Sequence, residues 1–113
     1  MKTVTDSQNR RHDPRIKVRV PIELLPENVA SPIRGATSDL SLSGCYIETI
    51  FPYPKGTMID LKLEIGTTVL VAATVATCDP QVGNGISFLK MLPEDQEALA
   101  AYLKSLEEDQ GQV

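Results

Sequence analysis

Asp39-Leu40-Ser41-Leu42-Ser43-Gly44 is the stretch that decides how the rest of the chain is interpreted, because it combines strand residues with short polar side chains. Side chains alternate between faces in an extended segment, so Asp39, Ser41 and Ser43 would project from one side. Gly44 lacks a side chain where the chain bends or where another group approaches its backbone. The pattern predicts either a site for a small polar ligand or a turn in which Asp and Ser side chains bond their own backbone.

A basic patch lies nearer the start of the chain, at Arg10-Arg11-His12-Asp13-Pro14-Arg15. Pro14 has no backbone N–H and biases the residue before it away from the helical region, so the patch is predicted to be a turn or an extended segment. A guanidinium forks onto phosphate oxygens or onto guanine O6 and N7, and it stacks on flat rings. Arg11 and Arg15 are therefore candidates for holding a compact nucleotide. The patch is also compatible with a solvated basic tail.

Together, in this order and with strand-like sequence between them, the two segments resemble the PilZ family. The marks of the family are Arg-x-x-x-Arg, matched by Arg11 and Arg15, and Asp/Asn-x-Ser-x-x-Gly, matched by Asp39, Ser41 and Gly44. Members of the family fold as a small β-barrel and bind cyclic di-GMP, a bacterial second messenger with two phosphates and two guanines. The resemblance therefore implies that the matched residues contact cyclic di-GMP.

Each residue of the implied site has a physical role. Asp39 would accept hydrogen bonds from the N–H edge of a guanine, and Ser41 would bond a base or a phosphate. Gly44 would keep the barrel surface flat and open. Arg10 is a further candidate for a phosphate or stacking contact, and Ser43 adds a second hydroxyl to the row.

Charge and composition limit the classes of partner. The chain has 113 residues, 42% of them hydrophobic, which suits one small domain with a modest core. Its net charge of -4 argues against a nucleic-acid polymer as partner, for which a basic surface is expected. No signal-peptide core and no apolar run long enough to cross a membrane are visible in the sequence, so we expect a cytoplasmic protein without membrane insertion.

The sequence offers little material for catalysis. His12 is the one histidine, and the chain has no nucleophile elbow, P-loop or dinucleotide-binding glycine pattern. We therefore expect no enzymatic activity, no metal and no cofactor, the only small molecule being the ligand cyclic di-GMP. Cys45 and Cys78 have no CxxC partner and are expected to be reduced core thiols, although the sequence also allows a disulfide between them.

Hydrophobic periodicity predicts a mainly β fold. Six short antiparallel strands are expected at about 18–24, 33–40, 45–50, 59–65, 68–78 and 85–88. Pro21 favours an edge or barrel-end position for the first strand. The run 68–78 is apolar on both faces, so we expect it to be central.

After Pro93 the period changes from two residues to that of a helix. Leu99, Tyr102, Leu103 and Leu106 form one apolar face, which predicts a C-terminal helix at about 93–107. The elements together predict a six-stranded antiparallel β-barrel with a helix packed on it. The PilZ resemblance implies the same architecture.

The domain organisation follows from these elements. Residues 1–9 are predicted to be a flexible N-terminal arm, residues 10–108 the PilZ-like domain, and residues 109–113 a frayed tail. No output domain is visible, so the resemblance implies a stand-alone receptor. Its ligand would close the arginine arm onto the barrel and alter a surface that a protein partner recognises. The alternative is a protein-interaction adaptor on the same barrel that works without nucleotide.

Overall fold

The computed structural model describes residues 14–111, whose six strands form a closed antiparallel barrel. The elements, in chain order, are β1 (Pro21–Pro26), β2 (Ile33–Leu40), β3 (Gly44–Glu48), β4 (Met58–Glu64), β5 (Thr68–Asp79), β6 (Gly83–Lys90) and α1 (Pro93–Gly111). Around the barrel the order is β1-β2-β3-β6-β5-β4, and pairing of β4 with β1 closes it. The predicted six-stranded barrel with a C-terminal helix is therefore confirmed. Among residues 14–111, no helix has the length and hydrophobicity needed to cross a membrane.

Alternating side chains build the core. In β4 every second residue is buried inside the barrel, and the residues between face solvent. The sequence 68–78, which is apolar on both faces, forms β5 between β4 and β6, as expected for a central strand. It is nevertheless buried on one face only, since Leu70 on its outer face is half exposed. The buried apolar residues of the barrel and helix are Ile16, Val20, Ile22, Leu24, Leu40, Cys45, Ile47, Ile59, Leu61, Leu63, Val69, Val71, Ala73, Val75, Ile86, Leu99 and Leu103.

The helix α1 packs on the barrel through the apolar face that the sequence predicts. Leu99 and Leu103 are buried, and the other two residues of that face lie at the margin of the core. The helix extends to Gly111, beyond the predicted end at residue 107 and into the predicted frayed tail. Glu and Gln, which dominate this last turn, are good helix formers, and each added residue contributes one more backbone hydrogen bond.

Several strand boundaries differ from the prediction. The first strand begins at Pro21 instead of residue 18, so Pro21 takes the strand-end position that suits a residue without an N–H. The third strand ends at Glu48 instead of residue 50, and it already includes Gly44. The last strand, β6, is longer than the predicted 85–88 at both ends.

Residues 16–20, here called the lead segment, run beside β2 before the first strand begins. Ile16 and Leu40 exchange both backbone hydrogen bonds, each with an N–O distance of 2.9 Å, and form an isolated antiparallel bridge. Ile16 is buried with 4% of its surface exposed. The lead segment is thus fixed to the end of β2 by backbone pairing and by burial of an apolar side chain.

Thr37 holds the other end of the lead segment through both its backbone and its side chain. Its backbone N donates to the carbonyl of Val20 at 3.0 Å. Its Oγ1 accepts from Val20 N at 3.0 Å and donates to the carbonyl of Val18 at 2.6 Å. Because Thr37 is buried, its hydroxyl satisfies backbone groups that water does not reach. This replacement of backbone partners by a side chain explains why the regular strand starts only at Pro21.

We expect Thr37→Val to destabilise the fold by about 1–3 kcal/mol, because the substitution keeps the shape but leaves the Val20 N–H buried without a partner. The matched control is Thr68→Val at the exposed start of β5, where water replaces the lost bond to Glu64 and the effect should stay within about 0.5 kcal/mol. Urea unfolding followed by far-ultraviolet circular dichroism measures both. Equal midpoints for the two variants would contradict the structural role of Thr37.

Candidate ligand-binding site

The structure brings together one residue from each of the two sequence segments. Arg15 Nη1 donates to Asp39 Oδ1 at 2.7 Å, although the two residues are 24 positions apart. Arg15 directly precedes Ile16, and Asp39 directly precedes Leu40. Because Ile16 and Leu40 are paired and buried, the side chains of Arg15 and Asp39 face away from the core. In that register they lie diagonally across the strand pair, a separation that a long arginine side chain spans. Arg10 and Arg11, the other predicted cations of the site, lie outside the described residues.

This ion pair contributes little to stability. The side chains of Arg15 and Asp39 are 51% and 27% exposed, and such surface pairs are worth about 0–1 kcal/mol. Asp39 Oδ2 has no hydrogen-bond partner within residues 14–111. Arg15 likewise has guanidinium N–H groups that this one bond does not use. Both groups therefore retain capacity to bind a ligand.

A bulge in β2 directs Asp39 to the surface. Thr37 and Asp39 pair with consecutive residues of β3, so Ser38 is an extra residue in the strand. A bulge of this kind shifts the alternation of side chains by one position. As a result Thr37 and Leu40 are both buried, while Asp39 faces outward.

The prediction that Asp39, Ser41 and Ser43 share one face is wrong, because the chain turns after Leu40 instead of continuing as a strand. Ser41 Oγ accepts from the backbone N of Ser43 at 3.2 Å and of Gly44 at 3.1 Å. Ser41 N also donates to the carbonyl of Gly44 at 2.8 Å. Ser41 is buried, so its hydroxyl holds the β2–β3 turn, whereas Ser43 is exposed. Ligand contacts by the two serines stay predictions.

Gly44 allows two strands to approach each other closely. It is the first residue of β3 and pairs with Ser87 on β6. A Cβ on Gly44 would lie 2.3 Å from the backbone oxygen of Ile86, closer than real Cβ atoms come. The group that approaches this glycine is therefore the neighbouring strand. Its predicted contribution to an open ligand surface stays a prediction.

Tyr46 is an outward-facing neighbour of Asp39 that the sequence analysis did not single out. It pairs with Asp39 on one side and with Gly85 on the other. Its Oη donates to Asp79 Oδ2 at 2.7 Å. This hydrogen bond, with smaller effects of burial and neighbouring carboxylates, raises the pKa of Tyr46 to about 12. The feature of the sequence that could have identified Tyr46 is its position between two apolar strand residues, which places its side chain on the outer face.

The two thiols are free and differ in environment. Cys45 is buried, and Cys78 is half-buried, so only the first is the core thiol that the sequence predicts. Burial, and to a lesser degree the charge of Asp39, raises the pKa of Cys45 to about 12, while Arg15 acts in the opposite direction. Cys45 therefore contributes to core packing beneath the Arg15–Asp39 pair. Within residues 14–111, no three His, Cys, Asp or Glu side chains form a group that could hold a metal ion.

Comparison with known proteins agrees with the fold. The model of the PilZ domain matches residues 9–105. No curated protein matches the sequence. The structure is similar to the inhibitor of motility MotI/DgrA of Bacillus subtilis, with a TM-score of 0.74 and 17% identity over 88% of this chain and 52% of that one. This chain thus spans about half the length of the Bacillus protein.

Two shorter structures are matched over nearly their full length. The PilZ domain of Escherichia coli YcgR, solved with c-di-GMP, has a TM-score of 0.69 and 18% identity over 88% of this chain and 93% of that one. The PilZ domain of CeSA from a cellulose-synthesizing bacterium has a TM-score of 0.65 and 18% identity over 83% of this chain and 98% of that one. Likeness at these identities establishes a common fold.

Gly44→Ala should destabilise the protein by about 1–3 kcal/mol, because the added Cβ meets backbone that has to shift. Gly35→Ala is the control, since a Cβ there meets only side chains at ordinary contact distances, Leu24 at 3.5 Å and Ile22 at 3.9 Å. Urea unfolding of both variants without ligand tests whether this glycine is required by the barrel itself. A Gly44→Ala protein as stable as the Gly35→Ala protein would refute this explanation.

Asp79→Asn should lower the pKa of Tyr46 from about 12 toward its ordinary value of 10, because the hydrogen bond to a charged acceptor is its main cause. A raised tyrosine pKa stabilises the fold fully below about pH 10, and that contribution is lost as the pH rises through about 12. A pH titration of 13C-labelled tyrosine rings by NMR measures the shift. Glu48→Gln is the control and should lower the pKa less, since Glu48 acts only through its charge. Equal shifts in both variants would contradict the assignment.

Proposed function

The chain belongs to the PilZ domain family, and from this membership we propose that it is a cyclic di-GMP receptor that signals to a protein partner. One observation supports the proposal most strongly: Arg15 of the first family motif and Asp39 of the second lie 2.7 Å apart on the outer face of the barrel. The similar PilZ domain of YcgR, whose structure contains c-di-GMP, supports the choice of ligand.

The two side chains would recognise different parts of the ligand. The unused N–H groups of Arg15 suit a phosphate, to which guanidinium binds through two parallel hydrogen bonds. Asp39 Oδ2 suits the N–H edge of a guanine, because a carboxylate only accepts hydrogen bonds. Arg11 and Arg10 precede Arg15 by four and five positions in the sequence and would add cationic contacts from the same segment.

The remaining motif residues would act mainly by shaping the surface. Ser41 holds the β2–β3 turn, and Gly44 lets β3 lie close to β6. Ser43 is the exposed hydroxyl of the turn and is the better placed of the two serines to meet a ligand directly. A contact by Ser41 itself would require its hydroxyl to exchange a turn hydrogen bond for the ligand.

We also propose that ligand binding changes the conformation of the arginine segment. The lead segment is already fixed from Ile16 onward by the bridge to Leu40 and by burial. Any change would therefore be confined to the residues before Ile16, with Arg15 at the boundary. Closure of that segment over a bound dinucleotide would create a composite surface for a protein partner. In this function the protein binds and signals, and it catalyses no reaction.

Calorimetric titration with cyclic di-GMP tests the receptor function, with GTP and cyclic GMP as control ligands. We expect saturable binding to the dinucleotide alone. Arg15→Ala and Asp39→Ala should each weaken it by at least about thirty-fold, because each removes a charged partner. Arg34→Ala is the matched control, since Arg34 belongs to another surface ion pair, with Glu23, and should leave binding unchanged.

Absence of heat from the folded wild-type protein at high ligand concentration would refute the receptor. The nucleotide-independent adaptor would then be the better account of the barrel. The Arg15–Asp39 contact would in that case be an ordinary surface ion pair. Circular dichroism of each variant shows whether a loss of binding reflects the site or the fold.

A further inference from the structure

The side chain of Tyr46 lies along the sheet surface instead of standing up from it. Tyr46 belongs to β3, its hydroxyl bonds Asp79 at the end of β5, and β6 runs between these strands. Neighbouring strands are about 4.8 Å apart, so the contact spans roughly 10 Å of sheet. A tyrosine perpendicular to the sheet does not reach that far, and the ring must therefore lie across β6.

Gly83 on β6 makes room for the ring. A Cβ on Gly83 would lie 2.8 Å from Tyr46 Cε2. The space over Gly85, directly opposite Tyr46 in the register, is instead taken by the side chain of Thr77. One face of the ring is therefore turned toward the backbone of β6. The opposite face is turned outward, and Tyr46 as a whole is only half-buried.

The charges around the ring determine what kind of group it suits. Asp39 borders it on β2, Asp79 holds its hydroxyl, and Glu48 lies next to it in β3, opposite Gly83. A phosphate above this ring would face three carboxylates and be repelled. A purine base has no such charge, and its N–H groups are donors that carboxylates accept. The cation of the site, Arg15, lies on the far side of Asp39.

We propose that Tyr46 is a specificity-determining contact of the ligand site: its outward ring face stacks on one guanine base, whose N–H edge is bound by Asp39. This inference rests on the proposed receptor function and extends it by fixing the orientation of the ligand. The base lies over β3 and β6, and the adjoining phosphate lies toward Arg15 and the lead segment. The space left by Gly83 lets the ring lie flat on β6, and its hydroxyl hydrogen-bonds to Asp79.

Titration of two variants separates the ring from its hydroxyl. Tyr46→Phe keeps the stacking surface, and we expect cyclic di-GMP affinity within about three-fold of the wild type. Tyr46→Val suits a strand but removes the ring. It should weaken binding roughly 5- to 150-fold, the range measured for loss of base–aromatic stacking. Leu70→Val, on the outer face of β5, is the control and should bind like the wild type.

NMR of the wild-type protein provides a second measurement that does not depend on how a variant folds. The chain has three tyrosines, and ring labelling resolves them, with Tyr46→Phe identifying the signal of Tyr46. A stacked guanine should shift the ring protons of Tyr46 upfield when cyclic di-GMP is added. The signals of Tyr53 and Tyr102, which pack against the core, should stay in place.

The outcomes distinguish this inference from the receptor function on which it rests. If the wild type binds cyclic di-GMP while Tyr46→Val binds within two-fold of it, the stacking role is refuted and the receptor stands. A Tyr46 ring signal that does not shift in the wild-type complex refutes it equally, even if Tyr46→Val fails to fold. If the wild type does not bind the dinucleotide, both proposals are refuted.

Discussion

The candidate site depends on one pair of backbone hydrogen bonds, those that Ile16 and Leu40 exchange at 2.9 Å. They join two segments of the chain that are distant in sequence and place Arg15 beside Asp39. The ion pair itself is too exposed to produce this arrangement, since its contribution is about 0–1 kcal/mol. Backbone pairing and the burial of Ile16 do the positioning, and the charged groups are left available for other partners.

Strand β2 has to satisfy two demands at the same time, and its bulge is the solution. Its end must bury Leu40 in the core and hold the lead segment through Thr37, yet it must also present Asp39 to solvent. Regular alternation cannot bury Thr37 and Leu40, three residues apart, on the same side. The extra residue Ser38 reconciles the two demands. The position of Asp39 on the surface is therefore a consequence of how the core is packed.

Periodicity was sufficient to predict β4 and the apolar face of α1, because burial of alternate strand residues and of one helix face is a local pattern. The start of the first strand was not predictable in this way. It depends on the Thr37 hydroxyl, a contact between residues far apart in the sequence. For Asp39, Ser41 and Ser43 the sequence left two structures open, a common polar face and a turn in which Asp or Ser bonds its own backbone. The turn is the one that forms, held by Ser41, and periodicity alone could not choose between the two.

The residues of the candidate site divide along the same line. The two ordered motifs name Arg15 and Asp39, but the contact between them is visible only in the structure. Tyr46 belongs to neither motif. Its position beside Asp39 depends on the β2–β3 register, and its flat orientation depends on Gly83, which belongs to a strand about forty residues further along the chain. Such a juxtaposition has no signature within a single segment, so sequence reasoning could at most place Tyr46 on the outer face.

Under the proposed function, the distribution of charge would explain how an acidic protein accommodates an anionic dinucleotide. The net charge is -4, but the charges are unevenly placed around Asp39. Arg15, which pairs with Asp39, is on the side of the lead segment, whereas Glu48 on β3 and Asp79 on β5 lie on the other side of Asp39. Phosphates are attracted to the first side and excluded from the second, where uncharged bases with N–H donors are favoured. A compact ligand that alternates phosphate and base would, under the proposed function, find complementary groups on both sides.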